Sequence, residues 1–378
     1  MNKKKVLIVI PEYSHGGTNK CLENLLLYMD FRKYHIYIYC LYEDGGQYYK
    51  EIFKPYIIKK SKLYNYAHDN FYTRKICGFW HKVNKEANFS WLYKKEAKWL
   101  QDKFNFDVVI GYQEGSATEF ASYFENVKKI AWFHSPYMDF IKNDLNYNYR
   151  LYNNFDKIVC VSYTFSKLFT SILNLPVDKV IGIHNILDID NIKEKSHETQ
   201  DEVPYDRTFN IISIGRFAKQ KRFDIIPYIA HEIIKKGIIK FKWYIIGSGE
   251  QTKELVIEQI NHYNVKDHVI ILGEKDNPYP YIKMSKIMVC TSETENYPTI
   301  INESKALHVP VVTNNYISAQ EIVNSDCGWV CSLDEMPDLL VEIINDEGGI
   351  YTKMKESISS YEYSNDDIIR KVEKLLDN

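Results

Sequence analysis

Short runs of β-branched and aromatic residues alternate along the chain with longer stretches in which apolar positions recur every three or four residues. "VLIVI" (Val6 to Ile10) is followed by "NKCLENLLLYM" and then by "IYIYC" (Ile36 to Cys40). A continuous apolar run of five predicts a strand buried on both faces, and the 3.6-residue period between two such runs predicts an amphipathic helix. This βαβ pattern recurs through "DVVIGY" (Asp107), "KIAWF" (Lys129), "KIVCV" (Lys157) with a helix over "SYTFSKLFTSIL", and "KVIGIH" (Lys179). Such a series predicts a parallel sheet with helices on its faces.

Between Asn191 and Arg207 the apolar period is lost and the segment "NIKEKSHETQDEVPYDR" is charged, as an exposed linker is. The alternation restarts with "NIISIG" (Asn210), a helix from Arg222 to Lys236, "FKWYIIG" (Phe241), a helix from Glu250 to Tyr263, "HVIILG" (His268), "KIMVC" (Lys286) and "VPVV" (Val309). The expectation is two doubly wound α/β domains, residues 1–195 and 196–362. A terminal helix over 363–378 follows and is expected to pack back on the first domain. Its sequence "SNDDIIRKVEKLLD" offers Ser364 or Asn365 as a cap, acidic residues in the first turn, and Ile368, Val372 and Leu375 on one face. A length of 378 residues suits two cores rather than one.

Composition changes this picture little. The chain is 45% hydrophobic and 26% charged, which is the make-up of a globular protein. A net charge of −2 argues against a general polyanion surface, so no nucleic-acid partner is expected and any phosphate must be held by a few placed groups. The charge is uneven, however. Between Lys50 and Asn105 thirteen basic residues face five acidic ones, a local balance of +8, interleaved with Phe71, Trp80, Trp91 and Trp99. That mixture fits either an ordinary solvated helical face or peripheral contact with an anionic membrane through residues 50–103. The opening lysines and apolar run resemble a signal peptide only until Pro11, where the run stops short of an h-region. No segment approaches the roughly 18 apolar residues of a membrane span. Seven cysteines without a CxxC pair read as reduced thiols, and the expected location is the cytoplasm, at the inner face of the membrane if the basic stretch binds it.

In open parallel sheets ligands bind beyond the carboxyl ends of the strands, so the residues after each apolar run carry the most information. After the first run, Gly16 and Gly17 open a helix and can present backbone N–H groups to an anion. They do not form GxGxxG, which weighs against a dinucleotide dehydrogenase. After the first strand of the second half, "GRFAKQKR" packs Arg216, Lys219, Lys221 and Arg222 into seven residues, a charge set suited to a diphosphate or simply to a solvated loop. Gly247 and Gly249 in "YIIGSGE" allow close backbone approach. His134 follows a strand, where a hydrogen-bonded structural histidine is also common. "DID" at Asp188 to Asp190 imitates a metal-binding DxD but falls at the domain junction, where a turn and helix start is the better reading. No resident metal or cofactor is expected.

The stretch "SETENYPTIINESKALHVPVV" places Glu295 after a strand, Pro298 at the first position of a helix, and Glu303 within that helix's first turns. The N–H groups of Thr299 and Ile300 form the helix's anion-binding end. A carboxylate at Glu303 can accept from two adjacent ribose hydroxyls, and one at Glu295 from sugar hydroxyls.

In this order, "HGG", "WFHSPY", "HNILD", "GRFAKQK", "GSGE" and "ETENYPTIINESKAL" followed by "VPVV" resemble the retaining glycosyltransferases of family 4 over nearly the whole chain. The resemblance implies a GT-B fold, two Rossmann-like doubly wound domains facing a central cleft, the first binding acceptor and the second nucleotide sugar. It implies a metal-independent transferase that moves a sugar from a nucleotide-diphosphate sugar, most commonly UDP-linked, to a carbohydrate or lipid-linked acceptor in surface-polysaccharide or glycoconjugate synthesis. It assigns His134 and Glu295 to the donor sugar and the chemistry, Glu303 to the ribose, and Arg216 and Lys221 to the diphosphate, with Gly16 and Gly17 also at the phosphates. Asn296 and Tyr297, where the family more often has glycine and phenylalanine, are expected to tune the choice of sugar, and Arg222 replaces a usual glycine. The alternatives are a non-catalytic sugar-nucleotide-binding subunit and a GT-B epimerase or phosphorylase.

Overall fold

The structure, a computed structural model, describes residues 3–14, 16–42, 46–64, 90–135, 149–200, 202 and 208–377. The chain divides into two units, Met1–Ile186 with Asp366–Asn378, and Leu187–Asn365. Each is built on one six-stranded sheet in which every ladder is parallel.

The first unit contains β1 (Lys4–Ile10), β2 (Tyr34–Cys40), β3 (Val108–Gly111), β4 (Lys128–Phe133), β5 (Lys157–Cys160) and β6 (Val180–Gly182), in the order β2-β1-β3-β4-β5-β6. Val6 to Ile10 are all buried, as a run covered by helices on both faces must be. The chain first steps outward from β1 to β2 and then returns to β1's other side, so the order reverses between β1 and β3. The second unit contains β7 (Phe209–Ile214), β8 (Phe241–Ile246), β9 (Val269–Gly273), β10 (Ile287–Cys290), β11 (Val311–Asn314) and β12 (Gly328–Cys331), in the order β12-β11-β10-β7-β8-β9. Here the reversal lies between β7 and β10. Reversal points leave a crevice at the strands' carboxyl ends, because the flanking connections run off in opposite directions.

The doubly wound α/β class expected from the apolar pattern is therefore present twice, with two differences of detail. Strand β12 does not stand out in the sequence, because as an edge strand it has one buried residue followed by three half-exposed ones and so no continuous apolar run. Its Gly328 is obligatory, since a Cβ there would lie 2.0 Å from the Val311 carbonyl oxygen. The second difference is the boundary. The charged segment expected to be a linker begins with a helix, Ile189–Lys195, that belongs to the second unit and packs on the helix Thr299–Ala306. The division thus falls at Ile186/Leu187.

The terminal helix Asp366–Asp377 belongs to the first unit. It buries Ile368, Val372, Leu375 and Leu376. Lys4 Nζ donates to the Leu376 carbonyl at 2.8 Å and Lys128 Nζ to that of Leu375, placing two cations at the negative end of the helix dipole. Tyr34 donates to Asp377 Oδ1 at 2.9 Å. Asn365 does not serve as its cap but bonds the main chain of Leu187.

Candidate functional site

In the second unit the loops after β7 and β10 leave the sheet at its reversal point and are joined by a series of bonds. Glu293 N–H donates to the Gln220 carbonyl at 2.8 Å, and the Thr291 hydroxyl donates to the Lys221 carbonyl at 2.7 Å. At the centre Lys221 Nζ donates to Glu295 Oε1 at 2.5 Å, and the same oxygen accepts from the Ser292 hydroxyl at 2.8 Å. Burial alone would lower the proton affinity of the Lys221 ammonium. The Glu295 carboxylate outweighs it, so the net shift is upward, and the nearby Arg216 guanidinium opposes that rise. Lys221 is therefore a firmly charged ammonium held beside the mouth of the β7/β10 crevice.

Arg216 immediately follows β7 and Gly215 and is exposed, whereas Arg222 folds back on the protein. Arg222 sits in the left-handed region at φ +52°, the conformation that explains why glycine suits this position. Its guanidinium bonds Asp224 and Glu293 and so locks the two loops together. Of the four clustered cations, Lys221 and Arg216 are thus positioned at the reversal point, while Arg222 acts on the loops themselves.

Glu295 and Glu303 lie on either side of the helix start, as the sequence suggests. Pro298 is the residue before the first helical position rather than the first itself, and the helix runs Thr299–Ala306 with no side-chain cap at its amino end. Thr299 and Ile300 are half-buried at that end, and Glu303, in the second turn, is 7% exposed. Asn296 and Tyr297 are buried, and the Tyr297 hydroxyl lies 3.4 Å from that of Tyr363. Ser318 pins this turn by donating to the Asn296 carbonyl at 2.7 Å and to that of Glu295 at 3.1 Å. Asn314 Nδ2 donates to the Ser292 carbonyl at 2.9 Å. Ser318 and Asn314 act from 22 or more residues away, and nothing in local sequence points to them.

Gly247 has a packing role. A Cβ there would come within 1.8 Å of the Gly215 carbonyl oxygen, so the missing side chain serves the approach of the β7 and β8 ends to each other. Asp188 accepts from Asn191 N–H at 3.3 Å and caps the helix Ile189–Lys195, as the turn reading of "DID" expects. Among the described residues no group of three or more His, Cys, Asp or Glu is placed to hold a metal ion.

In the first unit Gly16 precedes the helix Gly17–Tyr28 and is extended, at φ −165°. A Cβ on either Gly16 or Gly17 would meet nothing within 4 Å, so packing does not demand glycine at these exposed positions. The neighbouring loop is tied down by Asn19, whose amide donates to the Ser14 carbonyl at 2.8 Å and to that of Glu12 at 3.1 Å. His134 directly follows β4, and burial pushes its imidazole down to about 3, so the ring is neutral at physiological pH. Its ring packs on Tyr112 at 4.8 Å, and its N–H donates to Glu114 Oε2 at 3.0 Å. Glu114 is buried and also accepts from the Ser135 hydroxyl. It went unmarked in the sequence although it too follows a strand, in "VVIGYQEG", the position that singled out the other candidates.

Of the basic, aromatic stretch 50–103, residues 65–89 lie outside the described residues, as does His15. The described helix Ser90–Phe104 buries Leu92, Tyr93, Glu96, Ala97 and Leu100. Trp91 is 53% exposed, with Lys95 Nζ 5.4 Å from its ring, and Lys103 Nζ lies 4.6 Å from the Trp99 ring. No helix among the described residues is long and apolar enough to cross a membrane.

Two family models account for almost the whole chain. The one described as Glycosyltransferase Family 4 matches residues 15–191, and the one described as Glycosyl transferases group 1 matches residues 194–378. The chain is 28% identical over 192 residues to a Campylobacter jejuni N-acetylgalactosamine-N,N'-diacetylbacillosaminyl-diphospho-undecaprenol 4-alpha-N-acetylgalactosaminyltransferase, covering 51% of this chain and 46% of that one. It is 23% identical over 141 residues to the Bacillus anthracis N-acetyl-alpha-D-glucosaminyl L-malate synthase, covering 36% of each. Both alignments span less than half of the relative's own length. Among solved structures, the Anabaena HepE complex with UDP and glucose matches with a TM-score of 0.71 over 99% of each chain at 15% identity, a likeness of GT-B fold alone.

Proposed function

Because the chain belongs to the family 4 glycosyltransferases, we propose that it transfers a sugar from a nucleotide-diphosphate sugar, UDP-linked, to a glycan or lipid-linked acceptor in the synthesis of surface polysaccharide or glycoconjugate. The single observation that carries this reading is the Lys221–Glu295 pair at the β7/β10 reversal point, where a diphosphate cation and a sugar carboxylate meet on two adjacent loops. Lys221 and Arg216 neutralise the leaving diphosphate, the helix amino end at Thr299 and Ile300 adds oriented N–H groups, and Glu303 takes the ribose hydroxyls. Glu295 holds the donor sugar, with Asn296 and Tyr297 shaping its pocket. In the first unit Gly16 and Gly17 serve the phosphates and neutral His134 serves the sugar.

Transfer proceeds with retention at the anomeric carbon and with the cationic pair in place of a metal ion. As the bond from anomeric carbon to diphosphate oxygen breaks, negative charge grows on the diphosphate beside Lys221 and Arg216, which therefore bind the transition state more strongly than the ground state. The acceptor hydroxyl attacks from the same face, and its proton passes to the departing diphosphate oxygen.

The HepE structure with UDP and glucose and the diphospho-undecaprenol substrate named for the Campylobacter relative support the donor and acceptor classes. The exposed Trp91 with Lys94, Lys95 and Lys98 on the helix Ser90–Phe104 favours an acceptor at an anionic membrane surface. A thermal-shift series with UDP-, GDP-, ADP- and TDP-sugars, with and without EDTA, tests the donor and the metal together. Stabilisation by the UDP class alone, insensitive to EDTA, is expected; stabilisation by another nucleotide or its loss with EDTA overturns that part of the reading. Anomeric analysis of the product tests retention and separates a transferase from a binding subunit, an epimerase or a phosphorylase.

A further inference from the structure

We propose that Glu114 is a positioning residue for the reaction, setting His134 where it meets the donor sugar. This rests on the role given to His134 above. A strand end normally leaves its next N–H to water or to a loop. Here the His134 N–H donates to Glu114 Oε2 at 3.0 Å, and the next residue's hydroxyl, Ser135 Oγ, donates to Oε1. One buried carboxylate, 6% exposed, thus grips two consecutive residues just past β4.

The turn carrying Glu114 is itself closely defined. Tyr112 N–H donates to the Val9 carbonyl at 2.9 Å, extending the β1–β3 ladder past Gly111. Thr118 closes on the Gln113 carbonyl through its N–H at 3.2 Å and its hydroxyl at 2.7 Å. Gly115 is at φ +84°, where a side chain would be strained, and a Cβ on Gly111 would lie 2.8 Å from Thr118 Cα. Tyr112 from the same turn packs its ring on the imidazole at 4.8 Å. The turn therefore holds both ends of His134, the main chain through Glu114 and the ring through Tyr112. Hydrogen bonds to a charged acceptor are the stronger ones, and misplacing a substrate-contacting group by about 1 Å costs on the order of 100-fold in rate.

The test is a double-mutant cycle on the full chain with Glu114→Gln and His134→Ala, read as kcat and donor KM, together with the ring NMR signals of 13C-histidine-labelled protein, His134 being identified by its loss in His134→Ala. Glu114→Gln keeps shape and one acceptor, so the fold is retained. The expected result is a fall of about 10- to 100-fold in kcat with donor KM within about threefold, vanishing to about twofold or less in the His134→Ala background, and a shifted His134 ring signal in Glu114→Gln. Equal losses in both backgrounds, or an unmoved ring signal, overturn the proposal. If the wild-type protein transfers no sugar at all, the proposed function fails while the ring signal still decides the positioning role. Ser135→Ala, which removes one of the two grips, is expected to give an intermediate shift.

Discussion

Lys221 Nζ and Glu295 Oε1 are joined at 2.5 Å, with 19% and 14% of their side chains exposed. The carboxylate thus occupies the cation on which a diphosphate would settle. Two negative groups competing for one ammonium disfavour each other by about 1 kcal/mol even at aqueous screening and by more in a partly buried site. Glu295→Gln is therefore expected to bind UDP at least about fivefold more tightly than wild type while losing transfer, whereas Lys221→Met weakens UDP by about 10- to 150-fold. Calorimetric titration of UDP into the three proteins checks both signs. Weaker UDP binding by Glu295→Gln would sink the competition argument.

Glu303 is nearly fully buried in the second turn of the helix Thr299–Ala306. If it takes the ribose as proposed above, the effect of Glu303→Gln depends on the ribose hydroxyls. UDP affinity is expected to fall by about 10-fold or more, while the affinity for 2′,3′-dideoxy-UDP changes by less than about threefold. Equal losses for the two ligands would remove Glu303 from the ribose site.

His134 offers a pH test. Burial holds its native imidazole down to about 3, against 6.5 for an ordinary histidine. Between these values the unfolded chain binds a proton that the native state refuses, so stability is fully present above about 6.5 and falls as the pH drops below it. At one unit below the unfolded value the loss is about 1.4 kcal/mol. The melting temperature of wild type is expected to drop more between pH 7.5 and 5.5 than that of His134→Asn. Parallel curves for the two proteins would contradict a buried neutral ring.

How much of this was legible in the sequence depends on whether the cause was local. Both sheets were, because a parallel strand covered on both faces writes an unbroken apolar run, as Val6 to Ile10 do. Strand β12 was not, because an edge strand with one buried residue writes none. Lys221 and Glu295 were each legible as candidates because they lie in loops that follow strands, but their pairing was not, since it depends on β7 and β10 being neighbours in the sheet. Glu114, Asn314 and Ser318 act through contacts distant in sequence, and only Glu114, placed just after β3, carried a usable positional signal. The unit boundary was misplaced because a helix full of charge, Ile189–Lys195, exposes most of its surface and so reads as linker while still packing on its neighbour.

Gly247 tests the packing account of the second glycine-rich turn. A Cβ there would overlap the Gly215 carbonyl oxygen at 1.8 Å, a main-chain atom that cannot swing aside. Gly247→Ala is expected to destabilise the protein by about 3 kcal/mol or more, at the upper end of overpacking costs. Gly16→Ala, with open space around the added methyl, is expected to change the melting temperature by less than about 2 °C. Chemical denaturation of the two variants checks the contrast, and equal stabilities would refute it.

Asn365 and Leu187 adjoin the two points where the chain passes from one unit to the other. The Leu187 N–H donates to Asn365 Oδ1 at 3.2 Å, and Asn365 Nδ2 donates to the Leu187 carbonyl at 2.7 Å, both in buried surroundings. The side-chain amide supplies the donor and the acceptor at once. Asn365→Ala leaves both Leu187 groups without this partner and is expected to cost about 2–4 kcal/mol. Asn365→Asp keeps the acceptor but sets a buried carboxylate against the Leu187 carbonyl, which raises the pKa of the new carboxyl above its unfolded value. The native state then binds the proton more tightly than the unfolded chain does, so the deficit of Asn365→Asp relative to wild type is greatest at neutral pH and shrinks as the pH falls and the carboxyl begins to donate. Denaturation of both proteins at pH 7.5 and 4.5 measures the difference. A deficit that stays constant or grows in acid would mean that the second hydrogen bond contributes nothing.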